Sequence, residues 1–238
     1  MKATKKQSVL LLSGGIDSTV VGHKLKKEGT LYRVLYLKHG KRRNERELLH
    51  ARRLVRMFGV PLDIGDLSPS RQLIAGYRPD TDDGSELREG VELPVEQVVD
   101  GDATPPEQLN SEKGLSPFSI MLTIGLYYTH MVQANEFNIG LVKQQTLRRP
   151  RFKEYLTDLG RIDHVLNPEI APVEISAPLI EMSKGQIIAL GTDLGVDFAT
   201  PWSCLRWGEL HCGTCWHCTQ RKAGFIEAGI SDPTTYEA

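Results

Sequence analysis

The sequence predicts an α/β protein in which a doubly wound parallel sheet carries a small metal-binding segment at its C-terminal end. Short apolar runs alternate with longer segments of helical periodicity, as in parallel sheets whose strands are joined by crossover helices. Four cysteines lie within fifteen residues of one another near the C-terminus, a spacing typical of a metal site and not of a disulfide framework. At 238 residues the chain is long enough for one sizeable core, with or without an appendage.

Composition describes an ordinary globular chain with one unusual segment. Hydrophobic residues make up 40% and charged residues 25% of the sequence, and the formal net charge is −1. Residues 77–112 hold eleven acids and two bases, which leaves 27 bases against 19 acids elsewhere. That basic remainder suits nucleotide phosphates or an acidic partner, although a solvated surface is the more frequent reason for surplus Lys and Arg. Because no apolar run approaches the roughly 20 residues of a membrane span, we expect a cytoplasmic protein without membrane contact.

The first strand and the turn after it organise the chain. Residues 9–12 are an uninterrupted apolar run, typical of a strand that is buried on both faces. The turn then follows in the order Leu12, Ser13, Gly14, Gly15, Ile16, Asp17, Ser18 and Thr19. Its two glycines permit positive φ, and its polar residues lie where a helix begins, among free N–H groups at the positive end of the helix dipole. The turn therefore predicts a phosphate site, with a capped turn that binds no ligand as the alternative.

The order S-G-G-x-D-S-[S/T] in this turn resembles the pyrophosphate loop (PP-loop) of ATP pyrophosphatases, which activate carboxylates or amides as adenylates. The turn is not a Walker A loop, because no Gly-Lys-[Ser/Thr] follows it. On this resemblance, residues 12–19 bind the phosphates of ATP.

The following elements extend the sheet. The predicted elements are a helix over 20–27, a strand over 32–37, a helix over 48–58 and a strand over 60–64. Glycines at 29 and 59 close the two helices. The basic residues between 41 and 56 could bind phosphate or nucleic acid, but the glutamates among them favour a solvated face. Over residues 69–112 the periodicity is lost, which predicts an acidic insertion that is a lid, a partner-binding segment or disordered.

Periodicity returns at Pro117, which begins a helix that we expect to be deeply packed because it is apolar on more than one side, with His130 at the edge of the core. The remaining predictions are a strand over 138–142, a helix over 152–159, an extended segment over 172–175 and a helix whose N-cap is Ser183. Residues 143–146 follow the end of a strand and are either a substrate wall or a polar loop. Lys184 opens the last of these helices, where its ammonium could reach phosphate oxygens or be an exposed lysine without a role.

The cysteines follow the pattern C-x7-C-x2-C-x2-C, which allows four thiolates to surround Zn²⁺ as a tetrahedron. They are Cys204, Cys212, Cys215 and Cys218. In a ferredoxin-like iron–sulfur run the fourth cysteine lies downstream and precedes a proline, whereas here it lies upstream, which favours zinc. Four thiolates fill the coordination shell, so His211 and His217 are expected to be bystanders. A closed shell has no open position, and we therefore predict a structural zinc that holds the C-terminal segment to the sheet.

Two motifs together carry a resemblance to a known family. The PP-loop, combined with T-P-W-S-C and then E-x-H-C-G-x-C-x-x-C-x-x-R, closely resembles the 7-cyano-7-deazaguanine synthase (QueC-like) family. The resemblance implies an adenine nucleotide α-hydrolase-like fold and an ATP-dependent carbon–nitrogen ligase. Such a ligase adenylates 7-carboxy-7-deazaguanine, forms the amide with ammonia and, with a second ATP, forms the nitrile. Dimers are usual in that family, so a homodimer is expected.

The resemblance also implies roles for individual residues. The serines and glycines of the PP-loop hold the departing pyrophosphate, Asp17 places Mg²⁺ or the loop, and Lys184 offsets phosphate charge. The predicted catalytic residues are therefore Asp17, Ser18 and Lys184, and the predicted cofactors are ATP, Mg²⁺ and Zn²⁺. Residues 1–200 are expected to form the PP-loop domain, with residues 201–238 packed on it as the zinc segment.

Two segments depart from the family pattern. Residues 114–116 read Gly-Leu-Ser where the family has Gly-Arg-Asn, and residues 144–150 replace an acidic, aromatic segment. Both segments face the base in the family. An alternative is therefore a QueC-like paralogue that activates a different acid or a protein terminus, in antiviral defence. A third hypothesis is a nucleotide-sensing or nucleic-acid-binding zinc module without catalysis, against which the intact PP-loop argues.

Overall fold

The computed structural model describes residues 6–39, 44–68, 117–148, 151–206 and 208–237. Its strands are β1 Ser8–Leu11, β2 Leu31–Lys38, β3 Leu62–Asp66, β4 Glu136–Ile139 and β5 Glu174–Ser176. Its helices are α1 Ile16–Glu28, α2 Asn44–Phe58, α3 Pro117–Met131, α4 Lys143–Arg148, α5 Phe152–Leu166, α6 Lys184–Asp193 and α7 Trp216–Ala228. The predicted insertion at 69–112 and the departure at 114–116 lie outside the described residues.

The five strands form one parallel sheet in the order β3-β2-β1-β4-β5, with helices on both faces. One face is covered by α1, α2, α6 and α7, and the other by α3 and α5. The predicted doubly wound α/β class is therefore confirmed. The chain proceeds outward from β1 to β3 and then returns to the other side of β1, so the strand order reverses between β1 and β4. In open α/β sheets, ligands bind beyond the carboxyl ends of the strands at such a point.

Register brings the ends of the central strands together. Leu11, the last residue of β1, pairs with Leu35 of β2 on one side and with Ile139 of β4 on the other. All four residues of β1 are buried, in agreement with its prediction as a strand covered on both faces. All four residues of β4 are buried as well.

The structure corrects several predicted boundaries. Strand β3 begins at Leu62, two residues later than predicted, because Pro61 has no N–H to donate and its carbonyl accepts the Val34 N–H at 3.0 Å. Strand β4 covers 136–139 instead of 138–142, because its first residue already pairs with Ser8 at the start of β1. Strand β5 covers 174–176 instead of 172–175, and α5 continues to 166, seven residues beyond the prediction.

Helix α3 is not deeply packed on all sides. Leu122 and Leu126 are buried, but Ile120, Tyr127 and Met131 are exposed on the opposite face. The apolar residues of α3 therefore lie on both its buried and its exposed face, and the sequence does not show which residues belong to which face. His130 lies at the edge of the core as predicted, where its Nε2 is 2.6 Å from Oδ2 of Asp163 on α5.

The C-terminal segment packs closely on the sheet domain. Arg221 of α7 is 1% exposed, and its guanidinium donates to the carbonyl oxygens of Phe198 at 2.5 Å and Pro201 at 3.3 Å. It also donates to Oδ1 of Asp232 at 3.2 Å, which fixes the tail after α7. The division at residue 200 stays a prediction. Within the described ranges, no helix combines the length and the apolar character needed to cross a bilayer.

Candidate functional site

A cleft of about 380 Å³ lies above the carboxyl ends of β1, β2 and β4. Three parts of the chain line it: the PP-loop after β1, the residues after β4, and the C-terminal segment around the cysteines. Of the predicted phosphate-binding residues, those that line the cleft are Leu12, Ser13, Gly15, Ile16, Asp17 and Ser18. The sheet therefore places the PP-loop at the position where its topology predicts a ligand.

The PP-loop is held in shape by its own side chains. Ser18 Oγ accepts the Ser13 N–H at 3.2 Å and lies 3.0 Å from Ser13 Oγ, and Thr19 Oγ1 donates to the Gly15 carbonyl at 2.7 Å. Gly14 has φ +81°, and a Cβ there would lie 2.6 Å from the carbonyl oxygen of Glu47. Gly14 and Thr19 thus shape the loop from behind, while their neighbours face the cleft. Contact of each residue with ATP stays a prediction.

Lys184 and Asp17 form an ion pair at the edge of the PP-loop. Nζ of Lys184 lies 2.5 Å from Oδ1 of Asp17, and the two side chains are 15% and 24% exposed. A capping box fixes the start of α6: Ser183 Oγ accepts the Gln186 N–H at 3.2 Å, and Gln186 Oε1 accepts the Ser183 N–H at 2.9 Å. Ser183 is therefore confirmed as the predicted N-cap, and this cap positions the ammonium of Lys184 beside the PP-loop.

The wall beside β2 contains residues that the sequence did not single out. Tyr36, His39 and Glu47 line the cleft there. Glu47 Oε2 accepts hydrogen bonds from Asn44 Nδ2 at 2.8 Å and from the Tyr36 hydroxyl at 3.3 Å. The rule that ligands bind beyond strand ends would have indicated His39, because it directly follows β2. The exposed arginines of α2, at 52, 53 and 56, lie on the solvated face that the interleaved glutamates favoured.

The wall after β4 is a short helix and not a loop. Residues 143–148 form α4, in which Gln144 and Gln145 line the cleft. Gln145 Oε1 accepts the Val142 N–H at 3.0 Å, which fixes that side chain. Oε1 of Gln144 is buried and has no hydrogen-bond partner within the part of the chain that the structure describes. Of residues 143–146, the predicted substrate wall, only Gln144 and Gln145 line the cleft. The apolar side chains of Phe118 and Met121 line the same cleft.

The four cysteine sulfurs lie within 4.8 Å of one another. Backbone N–H groups donate to several of them: those of Arg206 at 3.3 Å and Cys212 at 3.4 Å to Cys204, that of Leu205 at 3.5 Å to Cys215, and that of Cys215 at 3.3 Å to Cys212. N–H donors stabilise thiolates, the form of cysteine that binds metals. The donor set therefore fits a four-coordinate soft metal such as zinc.

The two histidines next to the cysteines have different surroundings: His211 is hydrogen-bonded to the backbone, and His217 lines the cleft. Nε2 of His211 accepts the Ser203 N–H at 3.0 Å, and burial, reinforced by the charge of Arg221, lowers the pKa of this imidazole to about 4. His211 is therefore neutral and turned toward the backbone, as expected for a bystander. His217 lines the cleft together with Trp216 and Gln220. Because α7 begins directly after Cys215, the cysteine cluster determines where this wall lies.

Comparison with known proteins agrees with this architecture. The family model described as "Queuosine biosynthesis protein QueC" matches residues 7–229. The 7-cyano-7-deazaguanine synthase of Methanothrix thermoacetophila is 29% identical over 236 residues, which cover 97% of this chain and 99% of that protein. The synthase of Legionella pneumophila subsp. pneumophila is 32% identical over 244 residues, with 98% and 97% covered.

Among solved structures, the U34-tRNA thiolase NcsA from Methanococcus maripaludis aligns with a TM-score of 0.50 and 13% identity, over 94% of this chain and 66% of that one. At this identity the likeness concerns the fold alone. The end-to-end match to the synthases and the family model confirm the predicted class of ATP-dependent ligase. The chain therefore belongs to the QueC family of queuosine biosynthesis proteins.

Proposed function

We propose that this protein converts 7-carboxy-7-deazaguanine into 7-cyano-7-deazaguanine with ATP and ammonia. The observation that carries the proposal is the convergence of the PP-loop, Lys184 and the Gln144 amide on one cleft, in a chain that matches 7-cyano-7-deazaguanine synthases end to end. The PP-loop supplies the phosphate site, and the residues after β4 supply the wall for the acid.

The chemistry requires positioning and charge stabilisation, and no nucleophilic side chain. A carboxylate oxygen of the acid attacks the α-phosphorus of ATP, and the bond to the β-phosphate breaks so that pyrophosphate leaves. Ammonia then attacks the acyl carbon, AMP leaves, and the amide forms with release of a proton. In the second round the amide oxygen attacks a second ATP, pyrophosphate leaves, and loss of AMP and protons from the activated amide gives the nitrile.

Residues of the chain have distinct tasks in this scheme. The N–H groups and hydroxyls of the PP-loop bind the pyrophosphate as its charge develops, and Lys184 adds a positive charge beside them. Asp17 is the carboxylate of the loop that would hold Mg²⁺, which would neutralise phosphate charge. Oε1 of Gln144 has no hydrogen-bond partner in the described part of the chain, and it can accept a hydrogen bond from an N–H group on the polar edge of a guanine-like ring.

The four cysteines would hold a zinc ion with a closed shell, which leaves the metal a structural task. The cytoplasmic location and the homodimer stay predictions. For the dimer, the face to test consists of exposed apolar side chains on α3 and α5, namely Tyr127, Met131, Ile162 and Leu166. Sedimentation of the wild type and of a Met131→Glu variant would test it.

The proposal is tested by incubating the purified protein with 7-carboxy-7-deazaguanine, ammonium chloride, ATP and magnesium. We expect the nitrile by mass spectrometry, with two AMP and two pyrophosphate released for each nitrile formed. ATP cleavage without any amide or nitrile, or no cleavage that depends on the acid, would overturn it.

A further inference from the structure

Unpartnered polar atoms in the interior indicate where a ligand is needed. Within the part of the chain that the structure describes, three buried side-chain atoms lack a hydrogen-bond partner: Arg33 Nε, Gln144 Oε1 and Trp202 Nε1. Gln144 and Trp202 both belong to residues that line the cleft, whereas Arg33 does not. Trp202 is 4% exposed, so water does not satisfy its indole N–H from the surface. A buried donor without an acceptor destabilises a protein, and a ligand or an ordered water in the cleft can supply that acceptor.

The backbone of Trp202 is hydrogen-bonded to the PP-loop. Its backbone N–H donates to the Gly14 carbonyl at 2.8 Å, and its own carbonyl oxygen would lie 3.6 Å from a Cβ at Gly15. Because it precedes Cys204 by two residues, it joins the PP-loop to the cysteine cluster. The Trp202 side chain packs beside the cysteines and lines the same cleft as the loop. Phosphate oxygens bound by the loop would therefore share that cleft with the indole.

The orientation of the indole is fixed by two imidazoles. The Trp202 ring lies 5.2 Å from the ring of His50 and 4.3 Å from that of His211. His50 is in turn anchored by a hydrogen bond of 2.5 Å between Nδ1 and the Thr200 carbonyl, and burial lowers the pKa of its imidazole. A ring held in this way loses little conformational freedom when it binds a ligand.

We propose that Trp202 is a ligand-binding residue whose indole N–H donates a hydrogen bond to an oxygen of the pyrophosphate moiety held by the PP-loop. An indole N–H can only donate, so its partner must be an acceptor, and phosphate oxygens are the strongest acceptors that the loop attracts. The inference rests on nucleotide binding as proposed above. It adds to the loop a donor from the opposite end of the chain.

The direct test follows the indole N–H resonances of the three tryptophans in ¹⁵N-labelled protein as magnesium pyrophosphate is added. The resonance that is absent from Trp202→Phe should move downfield and exchange more slowly with water. If that variant does not fold, Trp207→Phe and Trp216→Phe assign the same resonance by elimination. A Trp202 resonance that stays in place while backbone amides of the PP-loop shift would overturn the proposal.

Affinity provides a second readout. Trp202→Phe keeps an aromatic ring beside the two imidazoles and removes the donor, so the pyrophosphate Kd from calorimetry should rise about tenfold or more. Tyr155→Phe, which removes an aromatic donor on α5 outside the cleft, should leave the Kd unchanged. If the wild type forms the nitrile and Trp202→Phe binds pyrophosphate as tightly as the wild type, only the role of Trp202 fails. If the wild type binds neither ATP nor pyrophosphate, the proposed function fails with it.

Discussion

The ion pair between Lys184 and Asp17 joins two parts of the cleft that are 167 positions apart in the chain. Replacing the lysine in Lys184→Met removes the ammonium beside the PP-loop and leaves the Asp17 carboxylate facing the phosphates. Because charge develops on the leaving pyrophosphate, we expect kcat/KM for ATP to fall about 100-fold or more. Acid-dependent release of pyrophosphate measures the loss.

Lys24→Met is the matched control for this substitution. Lys24 is also paired with a carboxylate, that of Glu28, but the pair lies on the surface of α1 away from the cleft. We expect its kcat/KM to stay within twofold of the wild type. Equal losses in both variants would show that Lys184 acts through stability and not at the phosphates.

Glu136 makes the fold sensitive to acid. Its carboxylate is buried, which raises its pKa, but hydrogen bonds from Lys6, Ser8 and Asn138 more than offset this and lower the pKa overall. A carboxylate with a lowered pKa in the folded state contributes stability that is present above the unfolded pKa of about 4.3. That contribution is lost as the pH falls through the folded pKa.

We therefore expect the unfolding free energy of Glu136→Gln to fall less steeply with acid below about pH 4.5 than that of the wild type. Urea unfolding at pH values between 3 and 7 measures this. Glu174→Gln is the control, because Glu174 lies 3.7 Å from the same Lys6 Nζ but is 67% exposed. If the unfolding free energies of the wild type and of Glu136→Gln fall equally steeply with acid, the role assigned to Glu136 is contradicted.

Site residues could be predicted from the sequence where they form a recognisable motif. They could not where only the packing of distant elements brings them to the site. The cysteines were predicted from their spacing, and the PP-loop from the order of its residues and its resemblance to a known loop, because both motifs are short stretches of the chain. Their contacts with metal and phosphate stay predictions. Glu47 and Trp202 were not singled out, because their relation to the loop arises only when α2 and the C-terminal segment pack against it.

At the scale of elements, Gly140 shows how the end of one strand supports the start of a neighbouring helix. A Cβ at this position would lie 2.7 Å from the Ser18 backbone nitrogen, in the first turn of α1. Gly140→Ala must therefore displace the PP-loop, since backbone cannot move aside as a side chain can. We expect ATP affinity to fall about tenfold or more, as measured by calorimetry.

Gly160→Ala tests whether any glycine replacement has this effect. Gly160 lies within α5, and the nearest atom to an added Cβ is 3.8 Å away. Alanine has the higher helix propensity, so this variant should bind ATP normally and unfold at an equal or higher temperature. Unchanged ATP affinity in Gly140→Ala would contradict the proposed contact.

The order and type of the elements followed from periodicity, whereas their ends depended on partners. Helix α1 ends at Gly29 with φ +71°, as its sequence indicates, because a glycine in that conformation closes a helix locally. Strand β4 begins two residues earlier than predicted because its pairing with β1 decides where it starts. Local signals therefore located a helix end where a glycine closes the helix, whereas α5 continues seven residues beyond its predicted end.

At the scale of the whole molecule, the two ends of the chain complete one site. The PP-loop comes from the first strand, while Trp202, Trp216 and His217 come from the last forty residues. Phe225 of α7 belongs to the same core as α1 and α6, and its ring lies 5.3 Å from that of Phe198. The cysteine cluster thus borders the cleft, and α7 connects it to the main core.

This continuity predicts how the protein responds to loss of the metal. We expect about one zinc per chain by elemental analysis, and none in Cys218→Ser, whose sulfur is fully buried in the wild type. Without the metal, the four sulfurs lose the ion that joins them and α7 loses its anchor at Cys215. Because α7 shares the core, unfolding should remain one transition, with a midpoint lower by about 10 °C or more, and ATP binding should weaken with it.

Re-addition of zinc to chelator-treated wild type should restore both the unfolding midpoint and ATP binding. Two separate thermal transitions, with ATP affinity unaffected by the chelator, would show that the zinc segment is an independent unit.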